Sequence, residues 1–167
     1  MNGNKTKDKF ILRALFVLGI GLLPIVFRKP PIKDWLLVFL WNAFTNGFID
    51  TVVVSHKVVK YPVRLLPKIF KTNILFDFLL YPIMTVVYNR FTARDKPLII
   101  FLKLFCLTIP MVLIELWAER KTGLIKFKRG WEWYHSFISL TIKSLLTRLW
   151  ISWVRKMEGK QYSELHT

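Results

Sequence analysis

Arg13, Asp50, Asp77 and Glu115 each stand within a long apolar run of this chain. A charge at a bilayer centre costs about 2.5–3.5 kcal/mol on insertion scales, so intramembrane ionisable residues are normally paired, close to an interface or functional. Asn42, Asn46 and Asp50 recur at i, i+4 and i+8, which puts two amides and a carboxyl on one helical face. Three acids, one guanidinium and two amides around a common interior offer two kinds of chemistry. They can hold a cation or pass protons, as intramembrane acids do in transporters, or they can lock helices together as ion pairs. The second is the expectation here, with Arg13 facing Asp50, and Lys57, Arg120 and Lys121 as further partners.

Five apolar stretches must position these residues. Residues 10–27, 35–54, 73–88 and 97–117 read as membrane spans near the ~20 residues that cross a 30 Å hydrocarbon core. Residues 131–153 have spanning length too. However, Glu132, His135, Ser136, Ser139, Lys143 and Thr147 draw a polar stripe along them, with Trp131, Trp133, Trp150 and Trp153 at the ends. They are expected to form an amphipathic helix in the interface or against the bundle, a fifth span being the rival, and 154–167 a polar tail. The expected fold is therefore all-α, a single membrane bundle over 1–153 with four transmembrane helices and a C-terminal amphipathic helix.

Basic residues set the orientation. The chain carries 26 Lys and Arg against 10 Asp and Glu, a formal charge of +16, yet its mean hydropathy is +0.37. The cations sit between the apolar runs, the pattern of juxtamembrane contact with anionic headgroups rather than of nucleic-acid binding. With four spans, 18 basic residues fall on the side of both termini and 6 on the other; with five, the division is 13 against 9. Both place the N-terminus in the cytoplasm, and the sharper four-span asymmetry places the C-terminus there also. Lys57, Lys60, Arg64, Lys68 and Lys71 follow one another at three- and four-residue steps, a basic stripe at helical pitch. Pro62 and Pro67 would kink that helix, so an interfacial segment contacting anionic lipid is expected.

Enzymatic patterns are missing from the sequence. His56, His135 and His166 are scattered, Cys106 is the single cysteine, and no Gly-rich phosphate loop or nucleophile elbow occurs. No catalytic residue, metal ligand or cofactor is expected. The segments Lys60–Pro67 and Glu119–Trp131, with Trp35, Asp50 and Tyr81-Pro82, resemble an uncharacterised family of small multi-pass membrane proteins from spore-forming Gram-positive bacteria. The resemblance implies a bacterial cytoplasmic membrane and no assigned activity. A non-enzymatic membrane protein contacting lipid, a protein partner or its own copies is the expected function, and a small ion or solute transport subunit the alternative.

Overall fold

Pro82 shapes the centre of the molecule. Lacking an N–H, it cannot donate to the carbonyl four residues back, and its ring crowds that carbonyl. The helix beginning at residue 74 answers by widening into a π-helical turn over Phe76–Leu80, where the Tyr81 N–H donates to the Phe76 carbonyl five residues back. It then continues as α3, Tyr81–Phe91.

The computed structural model describes residues 5–128 and 130–165. Around α3 stand α1 (Lys5–Phe27), α2 (Ile32–Ser55), α4 (Pro97–Lys121) and α5 (Trp133–Leu165). A two-stranded antiparallel ribbon, β1 (Val59–Lys60) and β2 (Lys126–Phe127), pairs Val59 with Phe127 and Lys60 with Lys126. The fold is all-α with four helices long and apolar enough to cross a membrane, namely α1, α2, α4 and α5.

Those four are not the four expected. The segment 73–88 yields a short inner helix whose Tyr81, Thr85, Val86, Tyr88 and Asn89 are all buried. It looks less hydrophobic because protein, not solvent or lipid, surrounds it. In its place α5 qualifies as a long apolar helix. Rather than lying across one end of the bundle, α5 runs along it. Its Phe137 stacks on Phe105 of α4, its Trp150 stacks on Trp41 of α2, and Arg155 reaches Asp34 at the start of α2. The expected tail is helical through residue 165; residues 166 and 167 lie outside the described residues.

Two glycines permit the closest helix contacts. A Cβ on Gly19 of α1 would stand 2.6 Å from Leu79, and one on Gly47 of α2 would stand 2.4 Å from the Phe78 ring, so both helices close directly on the π-helical turn. The apolar core between them includes Leu12, Trp35, Val38, Leu79, Ile83, Val86 and Ile151. Outward faces are equally apolar: Val17, Phe44, Phe48, Leu102, Leu113, Ile142 and Leu149 are all exposed. In water such continuous apolar surface would drive association, whereas hydrocarbon accepts it.

The two ends of the bundle differ. At the end holding the start of α1, the buried Asp8 carboxylate accepts from the Gly123 N–H at 3.0 Å, the Val63 N–H donates to the Gly123 carbonyl, and the β1–β2 ribbon ties both connectors together. At the opposite end lie the α1–α2 turn, the α3–α4 turn and the last turns of α5.

Candidate functional site

The basic segment 57–71 is not a helix. The chain turns at Lys57, which has φ +59, enters β1, and continues irregularly to the start of the next helix. Pro62 and Pro67 remove two donors that a helix would need, while pairing with β2 satisfies the backbone at Val59 and Lys60. The helical stripe is therefore replaced by a loop, yet its charges stay outward. Lys57, Lys60, Lys68 and Lys71 are exposed, and half-buried Arg64 donates to the Lys71 carbonyl at 3.1 Å. All five lie at the end that holds Asp8.

This loop also supplies the side chain that organises the acidic layer. The Tyr61 hydroxyl donates to Asp50 Oδ1 at 2.8 Å, and the Asn73 N–H approaches Asp50 Oδ2 at 3.4 Å. Burial, and after it the field of Asp50, pushes the Tyr61 phenol well above its ordinary range, so the hydroxyl remains a donor. The π-helical turn presents Asp77 to Asp50, where the two carboxyl groups meet. Asn46 donates to the Asp77 backbone carbonyl at 3.2 Å. From α5, Lys143 lies over the Tyr81 ring at 4.9 Å with Asp77 in its field, and Ser136 bonds the Glu115 carboxyl.

Asp50, Asp77 and Glu115 thus gather at one end of the interior, as their common depth predicts. Arg13 does not join them. It sits on the exposed face of α1, and among the described residues none of the three acids forms an ion pair with it, nor with Lys57, Arg120 or Lys121. Among the described residues the cation that faces Asp77 is Lys143, from the helix expected to lie in the interface or against the bundle. The three acids also do not converge on a metal-ligating geometry; among the described residues no group of three His, Cys, Asp or Glu side chains does.

Polar side chains continue from this layer toward the other end. The Tyr81 hydroxyl and Ser144 Oγ are 3.2 Å apart, and the Thr147 hydroxyl donates to Asn42 Oδ1 at 3.2 Å. Thr85 and Asn89 are fully buried on α3. Arg148 Nη2 donates to the Thr92 carbonyl at 2.8 Å, and Arg155 Nε to Asp34 Oδ2 at 2.5 Å. Asn42 belongs to this row rather than to the acid cluster. Sequence reasoning missed Tyr61, Arg148 and the Asp34–Arg155 pair. For the two arginines the signal was the i, i+4 and i+11 recurrence of Ser144, Arg148 and Arg155 along α5, which reads equally as a solvated face until its neighbours are known.

Fold and site together define an all-α protein whose four long apolar helices are compatible with an integral membrane protein. Comparison of the chain with protein families, with curated proteins and with solved structures finds no match.

Proposed function

We propose that this chain is a non-enzymatic integral protein of a bacterial cytoplasmic membrane, N-terminus cytoplasmic, that contacts anionic lipid through the basic loops at its N-terminal end. The observation that carries this reading is the apolar outer surface of α1, α2, α4 and α5, bordered at one end by the outward charges Lys57, Lys60, Lys68 and Lys71. Each near-surface cation contributes about 1 kcal/mol of attraction to anionic headgroups, and salt screens it. The chain in vesicles should therefore melt at rising temperature as the phosphatidylglycerol fraction increases, with the gain lost in salt. Replacing those four lysines by Gln should abolish the gain. An equal response in neutral vesicles would refute the lipid contact. Membrane protein partners or further copies would meet the same apolar faces.

A specific observation favours the transport alternative as a second reading. Asp50 and Asp77 meet inside the bundle, no donor reaches Asp77 Oδ2, and polar side chains lead from there to Arg148. Two touching carboxyl groups are held by a shared proton or a bound cation. Two carboxyl groups in direct contact suit a proton as the cargo. Proteoliposomes should then show a proton flux that Asp77→Asn removes while the protein still melts as a folded unit.

A further inference from the structure

The end of the bundle opposite the N-terminus carries a cleft of about 580 Å³ between the α1–α2 turn, the end of α3 and the last turns of α5. Trp35, Arg90, Phe91, Arg94, Arg155 and one carboxylate, Asp95, are among the residues that line it. Arg148 lies directly behind, its Nη2 donating to the carbonyls of Thr92 and Ala93 at 2.8 and 3.4 Å. Three guanidinium groups thus line one cleft, with a fourth behind it.

Of these four, only Arg155 forms an ion pair among the described residues. Two carboxylates stand nearby, and each already has a cation: Asp34 is bonded by Arg155 at 2.5 Å and Asp95 by Lys103 at 2.6 Å. Arg90 donates to a neutral group, the Val26 carbonyl at 3.2 Å. Arg94 is exposed and forms no ion pair among the described residues. Arg148 is 8% exposed, and its Nε and Nη1 have no partner at all. Leaving a buried donor unsatisfied is costly, and leaving a buried charge unpaired costs more. An anion in the cleft would balance Arg90 and Arg94, which line it, and lessen the field on Arg148 behind them.

The chemistry of the lining narrows the anion. Arginine presents a planar fork of donors that matches phosphate oxygens in pairs, and several forks around one volume suit a tetrahedral group with several acceptors. The surroundings narrow it further. Phe91 is 71% exposed at the rim, and the apolar outer faces of α2 and α4 begin there with exposed Ile32, Leu36 and Leu98. A headgroup in the cleft would have its acyl chains laid along those faces.

We propose that this cleft binds the phosphate of an acidic phospholipid in the leaflet opposite the N-terminus. The site is separate from the lysine loops, and its lipid assignment rests on the membrane location argued above. The test uses the full chain in detergent micelles, titrated with short-chain phosphatidylglycerol, with glycerol 1-phosphate and with inorganic phosphate, and read as an apparent dissociation constant from melting shifts. Phosphatidylglycerol should bind tightest. A near-surface cation is worth about fivefold in affinity, so R90Q with R94Q should weaken it tenfold or more. Should that pair fail to fold, R94Q alone, at an exposed position, should weaken it about fivefold. C106S, at an exposed position midway along α4 and away from both basic ends, should leave the constant unchanged. Equal affinity in R94Q and the parent would overturn the site. Equal binding of glycerol 1-phosphate, inorganic phosphate and the lipid would overturn the lipid assignment. A chain that stays in aqueous solution without detergent would sink the membrane reading instead, and sensitivity of glycerol 1-phosphate binding to R94Q would still support the anion cleft.

Discussion

The Asp34–Arg155 pair decides how α5 lies in this protein, and its energy can be anticipated. The Asp34 side chain is 6% exposed and that of Arg155 is 27% exposed, with the guanidinium 5.1 Å from the centre of the Trp35 ring. A hydrogen bond to a charged group is worth about 1.5–3 kcal/mol. The two single substitutions should not cost the same. In Asp34→Ala the stranded Arg155 retains some access to water, and the expected loss is about 1.5–2 kcal/mol. Arg155→Ala leaves a nearly buried carboxylate without its cation and strips the side-chain stem from Trp35. About 3 kcal/mol is expected there, the low end of a broken buried pair. Asp34 also gains roughly 0.3–1 kcal/mol from the N-terminus of α2, a contribution that cancels in a double-mutant cycle. Reversible unfolding of the parent, both singles and the double in mixed micelles should give a coupling of about 1–2 kcal/mol. If α5 lay in the headgroup layer at the N-terminal end, some 30 Å of hydrocarbon would separate Asp34 from Arg155 and the coupling would vanish. Additivity to within about 0.5 kcal/mol would refute the arrangement of α5 along the bundle.

Three further outcomes are expected. Tyr61→Phe removes the hydroxyl on Asp50 Oδ1 and should destabilise the chain by about 1–3 kcal/mol in the same unfolding assay; an unchanged transition would mean that Tyr61 does not organise the acidic layer. Gly47→Ala forces the Phe78 ring aside and should cost about 1–3 kcal/mol, whereas Gly21→Ala, with nothing within 4 Å of the new methyl, should cost nothing measurable. In a Cys106→Ser background, single cysteines at Lys9 and Tyr162 should react with membrane-impermeant reagent from opposite sides, since α1 to α5 make five passes between the two ends of the bundle; labelling of both from one side would return the chain to the four-pass arrangement.

The all-α class, four long apolar helices and the common depth of Asp50, Asp77 and Glu115 were legible in the amino-acid order, because each follows from run length and from the alternating direction of successive helices. Hydropathy measures contact with lipid, however, and it could not rank 73–88 against 131–153: both run between the ends of the bundle, the first as the inner α3 and the second as the long apolar α5. Most residues of α3 are buried among neighbouring helices, so polar side chains are tolerated there, while Ser136, Lys143, Ser144 and Thr147 of α5 turn toward α4, α3 and α2 and Ile142, Leu146 and Leu149 face outward. No property of either segment taken alone distinguishes a stripe turned to protein from one turned to water. The same ambiguity hid the partners of the charges. Periodicity put Asn42, Asn46 and Asp50 on one face but could not say that Tyr61, eleven residues on in a loop held by β2, would reach Asp50, or that Lys143 rather than Arg13 would face Asp77. Local sequence determines which groups share a helix face; which faces meet is set by packing across the bundle, through the close approach at Gly19 and Gly47 and the pairing of Asp34 with Arg155 more than a hundred residues apart.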